Sequence, residues 1–139
     1  MQGTRVDLVE AMRVAQDGTV RPGSCTVAVA ALQPEYHSTG PTLTAAVLGD
    51  AAVRVVRAGE VVFESVIQEY DFQVPFQIGC PEWHETTNSP DDASVVDLAL
   101  EEGDVVIMGS DGVRPPLLPP RFKPSLLLQT PLYHIEYIH

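Results

Sequence analysis

The most restrictive feature of this sequence is a series of short apolar runs rich in Val and Ala, separated by turns that contain glycine, proline or aspartate. Runs of this length and composition are typical of β-strands. A parallel doubly wound sheet would need a helix between most strands, yet only residues 5–16 carry apolar side chains at helical spacing. The sequence therefore predicts an α+β fold, in which one short helix flanks a mainly antiparallel sheet. The predicted strand regions are residues 24–32, 42–49, 53–63, 94–100 and 105–112.

Two parts of this pattern predict paired strands. The third run contains Ala58-Gly59, which indicates a hairpin, although Arg54 and Arg57 make its alternation imperfect. The last two runs flank an acidic turn at 101–104 and are predicted to form a second strand pair. Residues 66–93 are instead aromatic and aperiodic and contain proline, which predicts a long ordered loop.

Charge and proline content divide the chain near residue 113. Residues 113–139 hold 6 of the 12 prolines but only 1 of the 19 acidic residues. Proline cannot donate a ladder hydrogen bond and disrupts helices. We therefore expect residues 1–113 to form a partial domain and residues 114–139 to form a proline-rich, divergent and poorly ordered tail.

The acidic balance of the chain argues against two classes of partner. The sequence has 8 Lys and Arg against 19 Asp and Glu, a formal net charge of −11. Nucleic acids and anionic membrane surfaces are bound by basic faces, so we expect neither as a partner. The longest apolar runs are also far shorter than the roughly 20 residues that a membrane span needs.

Asp111 is the candidate metal ligand in this sequence. It follows the apolar run that begins at residue 105, and a buried strand fixes its own end, so this carboxylate could be held in place for a hard cation. Asp50 repeats the arrangement after the run 42–49. The residues around both aspartates, Gly-Ser-Asp-Gly and Leu-Gly-Asp-Ala, are also common in turns, so a simple turn is the alternative at each position.

The two cysteines carry weaker signals. Cys80 and His84 are four residues apart, a spacing that metal sites use, but the sequence offers no second Cys/His pair to complete a structural zinc site. Cys25 lies in the predicted strand 24–32, where a free cysteine is expected to behave as a small apolar residue.

Four stretches follow one another along the chain: PGSCTVAVAAL, LTAAVLGDAAVRVVRAGEVVF, EYDFQVPFQIG and LEEGDVVIMGSDGV. In this order they resemble the metal-dependent type 2C serine/threonine protein phosphatases, above all a eukaryotic branch whose members are often organellar. That branch has a Gly-Ser-Ser-Thr-Ala strand, a Leu-Gly-Asp-Ser strand end before a hairpin, a Phe-Asn-x-Pro-Phe-Gln-Leu element and a strand ending in Asp-Gly. The resemblance covers about residues 5–113.

The resemblance implies two packed antiparallel sheets flanked by helices, with a pair of Mg²⁺ or Mn²⁺ ions in a cleft at one end. It implies hydrolysis of phosphoserine and phosphothreonine in proteins by a water that bridges the two ions. Asp111 matches one of the family's metal-binding aspartates, whereas Asp50 matches a position that is generally structural. The branch also suggests a mitochondrial or plastid location.

The sequence departs from the family on both sides of the matched region. Nothing before residue 23 resembles the family's Asp-Gly ligand pair or its phosphate-binding arginine, and Arg114-Pro115-Pro116 replaces its Phe/Trp-Asp-Asn stretch. We therefore expect a truncated copy of the domain with little activity. Two alternatives stay open: a non-catalytic pseudophosphatase fragment that acts as a protein-interaction module, and an unrelated antiparallel β protein of a binding class.

The expected tail can be tested by limited proteolysis. Because a poorly ordered segment enters a protease site readily, we expect trypsin to cleave after Arg121 before it cleaves after Arg54 or Arg57 in the apolar runs. Mass spectrometry of the early products would identify the bond, and Arg121→Gln would remove that product. First cleavage within residues 1–113 would contradict the division.

Overall fold

The structure is a computed structural model that describes residues 6–37, 40–80, 82, 87–110 and 134–137. Its described part contains one long helix, α1 (Leu8–Asp17), a 3₁₀ turn at Pro90–Asp92 and eleven strands. The strands are β1 Ser24–Cys25, β2 Val27–His37, β3 Gly40–Leu48, β4 Ala52–Arg57, β5 Glu60–Glu64, β6 Glu69–Asp71, β7 Val74–Pro75, β8 Ile78–Gly79, β9 Ser94–Ala99, β10 Val105–Gly109 and β11 His134–Tyr137.

The layers are a helix, a three-stranded sheet and a four-stranded sheet. The strand order is β2-β3-β9 in the first sheet and β11-β10-β4-β5 in the second, with two-stranded ribbons β1-β8 and β6-β7 beside them. Every described strand pair except β10–β11 is antiparallel. The predicted α+β class, a partial sandwich of antiparallel sheets with a flanking helix, is therefore confirmed.

Helix α1 begins beside a capping residue, Asp7. The Asp7 carboxylate accepts a hydrogen bond from the backbone N–H of Glu10 (3.0 Å), which satisfies one free donor of the first turn. Leu8 and Met12 form its buried face and pack against the first sheet. The predicted helix at 5–16 is confirmed, with its start at Leu8.

The central strand of the first sheet, β3, is buried on both faces. Ala46 and Leu48 pack with α1, whereas Leu43, Ala45 and Val47 belong to the core between the two sheets. This explains why the run is apolar throughout, because both faces of such a strand lie away from water. The second sheet contributes Val53, Val55 and Val106 to the same core.

The imperfect alternation of β4 has a structural cause. Arg54 points away from the core between the sheets and is 1% exposed, and its Nη2 lies 2.6 Å from Oε1 of Glu64. Glu64 is the register partner of Arg54 on β5, so the two charges meet across the hairpin. The predicted hairpin at Ala58-Gly59 is confirmed, with Ala58 at a φ of 51°.

The predicted pairing of the last two runs is wrong. Strand β9 pairs with β3 in the first sheet, whereas β10 pairs with β4 in the second sheet. The turn at 101–104 therefore carries the chain from one sheet to the other. A tight acidic turn is compatible with either connection. In this structure the strands on its two sides place apolar side chains in the same core from opposite sheets.

The predicted loop at 66–93 is more regular than expected. Three short strands, β6, β7 and β8, lie in it, followed by the 3₁₀ turn at Pro90–Asp92. The predicted tail at 114–139 lies outside the described residues except for His134–Tyr137, which pair in parallel with β10. The division of the chain at residue 113 stays a prediction.

The chain also changes sheet between β3 and β4, through a turn that starts at Gly49. Gly49 has a φ of +91°, and a Cβ placed there would lie 2.2 Å from the carbonyl oxygen of Phe76 and 2.6 Å from Cγ2 of Thr26. The position therefore requires glycine both for its backbone angle and for the close approach of its neighbours.

We expect Gly49→Ala to lower the free energy of unfolding by about 3 kcal/mol or more, since backbone strain and a steric clash combine. Gly103→Ala is a matched control, because Gly103 has a φ of +90° and nothing within 4 Å of an added Cβ. It should cost about 1 kcal/mol from the backbone angle alone. Urea unfolding of both variants measures the difference, and equal losses would contradict the clash.

Candidate functional site

The ends of β10 and β4 define the candidate site. Their ladder stops at the pair Gly109 and Ala52, and the residues two positions beyond this pair are Asp111 and Asp50. Asp111 itself lies outside the described residues. Asp50 is half-buried in the turn between β3 and β4. The turn that carries Asp50 and the end of β10 therefore lie at the same end of the sandwich, which we call the Gly49 end.

Gln68 joins this end to the segment that follows β5. Its side-chain oxygen accepts a hydrogen bond from the N–H of Gly49 (3.1 Å), and its own N–H donates to the Gly49 carbonyl (3.0 Å). Its side-chain amide donates to the carbonyl of Asp92 (2.7 Å). A single glutamine thus holds the turn between the sheets against the 3₁₀ turn, and the sequence alone gave no signal for it.

Asn88 organises the remainder of the segment. It is buried, its side-chain oxygen accepts from the N–H of Gln77 (3.0 Å), and its side-chain NH₂ donates to the hydroxyl of Tyr70 (2.7 Å). The ring of Tyr70 lies 4.3 Å from that of Phe76, measured between centroids. These contacts join residues 68–80 to residues 87–92 without long strands, because side chains replace ladder hydrogen bonds.

The acidic residues of the 101–104 turn lie at the opposite end of the sandwich. Arg57, the last residue of β4, donates two hydrogen bonds to the Asp104 carboxylate (both 2.8 Å), and its Nη1 lies 2.5 Å from Oε1 of Glu101. Asp104 also accepts from the backbone N–H of Glu101 (2.9 Å). Asp104 is therefore a structural carboxylate that fixes the second connection between the sheets.

This geometry shifts the pKa values of both partners. The hydrogen bonds from Arg57 lower the pKa of Asp104 below its ordinary 3.8, against the opposing effect of burial. The same hydrogen bonds raise the pKa of Arg57. Both groups are thus charged at neutral pH, as an ion pair between the turn and β4 requires.

The described residues do not supply the donor set of a two-metal centre. No group of three or more His, Cys, Asp or Glu side chains among residues 6–37, 40–80, 82 and 87–110 is arranged to hold a metal ion. Mg²⁺ and Mn²⁺ prefer several oxygen ligands, above all carboxylates. Asp50 is the carboxylate that these residues place at the Gly49 end of the β4–β10 ladder.

The structure places the two cysteines in different environments. Cys80 is buried, with its Sγ 3.5 Å from the carbonyl oxygen of Thr19, and His84 lies outside the described residues. Cys25 is exposed, so the expectation that it is buried in a strand is wrong. The reason is local, because β1 is a two-residue strand of an edge ribbon and not part of the sandwich.

Among the described helices, none is both long and apolar enough to cross a membrane.

No protein-family model matches the chain. Sequence comparison nevertheless finds relatives. A protein phosphatase 2C of Oryza sativa subsp. japonica is 37% identical over 98 residues, which cover 70% of this chain and 27% of the relative. The protein phosphatase PTC7 homolog of Danio rerio is 34% identical over 95 residues, which cover 66% of this chain and 31% of the relative.

One solved structure is similar to this chain in both fold and sequence. The X-ray structure of the photosystem II phosphatase PBCP matches with a TM-score of 0.66 and 34% identity, over 76% of this chain and 39% of that one. This chain spans about a quarter of the length of the first curated relatives it matches, with values of 27%, 25% and 21%.

The Arg57–Asp104 pair gives a prediction for stability. We expect Asp104→Asn to lower the free energy of unfolding at pH 7 by about 1–3 kcal/mol, because the buried hydrogen bonds lose their charge. Since the folded pKa of Asp104 is lowered, its contribution is present above pH 3.8 and is lost as the pH falls through the lowered value. Urea unfolding at pH 7 and pH 3 tests this.

Glu101→Gln is the control for this measurement. Its side chain is 65% exposed, and exposed ion pairs contribute little, so its stability should stay close to that of the wild type. An Asp104→Asn deficit that persists unchanged at pH 3 would show that the carboxylate charge is not what stabilises the turn.

Proposed function

Because this chain belongs to the type 2C protein phosphatase family and carries part of its domain, we propose that it is the sandwich portion of a metal-dependent protein serine/threonine phosphatase. Its substrates would be phosphoserine and phosphothreonine proteins, and its ions Mg²⁺ or Mn²⁺. The observation that carries the proposal is the joint agreement of fold and sequence with a solved phosphatase, at 34% identity over 76% of the chain. By themselves, the 139 residues have little activity in this proposal.

We assign Asp111 as a ligand for one of these ions. The support is positional: β10 ends at Gly109 beside the start of β4, so the chain leaves the sheet at the end where β3 also turns. Strand β10 is hydrogen-bonded to a neighbouring strand on each side, so its end is held in position. A carboxylate two residues later is therefore attached to a rigid part of the sheet. The family is metal-dependent, and hard divalent ions prefer oxygen ligands such as the carboxylate of an aspartate.

Low activity follows from the chemistry of these ions. Mg²⁺ gives up its hydration shell reluctantly and needs several oxygen ligands to bind tightly. The described residues provide no such group, so a single added carboxylate at 111 leaves the set incomplete. The proposal therefore includes no catalytic step on the described residues alone.

A non-catalytic, protein-binding role is the second candidate, and one observation favours it. Strand β5 is an edge of the second sheet in the described part of the chain, and exposed apolar side chains lie on it and in the segment that follows it. Edges and apolar patches of this kind are where other chains bind. The exposed residues are Val61, Val62, Val66, Ile67, Tyr70, Phe72 and Val74.

Turnover of a small aryl phosphate with added Mn²⁺ tests the proposed low activity. We expect little or no turnover by the 139-residue chain, because the described residues and Asp111 together offer too few oxygen ligands for two ions. Mn²⁺-dependent turnover that disappears in Asp111→Asn would show instead that the chain is a competent phosphatase. Capture of a partner by crosslinking, lost when Val61 and Val62 are replaced by Lys, would favour the second candidate.

Metal binding tests the assignment of Asp111 separately. We expect weak Mn²⁺ binding, measured as loss of the free-ion electron paramagnetic resonance signal, that is reduced by Asp111→Asn. Glu101→Gln makes the same change of charge at the opposite end of the sandwich and should leave binding unchanged. Equal binding by wild type and Asp111→Asn would refute the assignment.

A further inference from the structure

A groove of about 390 Å³ lies between α1 and the β1-β8 ribbon, on the outer side of the first sheet. Its floor and walls are mainly apolar, formed by residues such as Ala11, Ala15 and Val29. Gln16 closes one side by donating from its side-chain amide to the carbonyl of Gly79 (3.0 Å). The proposed phosphatase chemistry makes no use of this groove.

Three sulfur-bearing residues line the groove together: Met12 on α1, Cys25 on β1 and Cys80 immediately after β8. Both cysteines are free. The other described methionine, Met108, packs against the core between the two sheets. Sulfur donors from three separate elements thus converge on one cavity.

The ribbon register places the two cysteines on one face. Cys25 pairs with Ile78, and the N–H of Cys80 donates to the carbonyl of Gly23 (3.2 Å), which continues the ladder. Cys80 is two residues beyond the partner of Cys25, so the two thiols are diagonal neighbours on the same side of the ribbon.

Diagonal neighbours suit a bridging ion better than a disulfide. The Cα atoms of diagonal neighbours are typically about 7–8 Å apart, whereas the Cα atoms of a disulfide usually lie within roughly 6.8 Å of each other. An ion with metal–sulfur bonds of about 2.3 Å between the two sulfurs spans the larger gap without moving the strands.

We propose that this groove is a binding site for one soft, thiophilic metal ion, of which Cu(I) is the representative. The Cys25 and Cys80 thiolates are its principal ligands, and the Met12 thioether is the third. Thiolate and thioether donors select Cu(I) over hard cations. Among the described residues that line the groove there is no Asp, Glu or His, so Mg²⁺ and Mn²⁺ find no carboxylate there and zinc lacks a fourth Cys, His or carboxylate ligand.

Charge and protons balance in this site. Each thiol releases one proton when it binds Cu(I), and the contact of the Cys80 thiol with the Thr19 carbonyl is given up. The resulting complex of one monovalent ion with two thiolates carries a single negative charge. Arg21, which also lines the groove, supplies a positive charge nearby.

Competition with a chromogenic Cu(I) chelator tests the site on the reduced full chain under anaerobic conditions. We expect the chain to withdraw one equivalent of Cu(I) from the bicinchoninate complex. Cys25→Ser and Cys80→Ser should each weaken binding by more than about 100-fold, beyond the effect of an outer-shell change. Met12→Leu should weaken it less, and Met108→Leu, its matched control in the core, should not change it.

Thiol protection in the wild-type chain provides a second measurement, in case a cysteine variant does not fold. Bound Cu(I) should slow the alkylation of Cys25 by iodoacetamide, followed by mass spectrometry, whereas Mn²⁺ should leave its rate unchanged. Alkylation at the same rate with and without Cu(I), or full binding by either folded serine variant, would overturn the proposal. Neither readout depends on phosphatase activity.

Discussion

The structure depends on two connections through which the chain changes sheet, one at each end of the sandwich. At one end, Gly49 turns β3 into β4 in a space that admits no side chain, and Gln68 holds that turn by hydrogen bonds to the N–H and the carbonyl of Gly49, one from its side chain and one from its backbone. At the other end, Arg57 clamps Asp104 in the turn from β9 to β10. Since each connection joins the two sheets, both fix how one sheet lies on the other, and with it the place where the strand ends meet.

Local pattern predicted much of the fold, and non-local contacts account for what it missed. The apolar runs, the hairpin at Ala58-Gly59 and the helix were readable because each depends on neighbouring residues. The pairing of the two strands around 101–104 was predicted wrongly, because the same turn sequence can connect two strands of one sheet or two strands of different sheets. Gln68 and Asn88 were missed because an amide that bridges two segments is recognisable only from partners distant in sequence.

The sequence placed Asp50 in a turn directly after a strand, as the structure has it, whereas the site at Asp111 stays a prediction. Strand ends marked by aspartate follow from turn chemistry, and the resemblance to the phosphatases adds meaning to Asp111. What the sequence pattern did not separate was the role of each acidic residue: Asp104 serves the fold and lies far along the strands from Asp50. The cysteines show the converse, since spacing along the chain joined Cys80 to His84 whereas the ribbon register joins it to Cys25.

The parallel pairing of β11 with β10 has a consequence for assembly of the second sheet. Val105 is the partner of His134, so after β10 ends at Gly109 the chain must travel back along the full length of the strand before the next one begins. Closing so long a connection costs more chain entropy than any hairpin in the molecule. We therefore expect β4 and β5 to pair first and β10 next, with β11 joining a surface that the others have already formed.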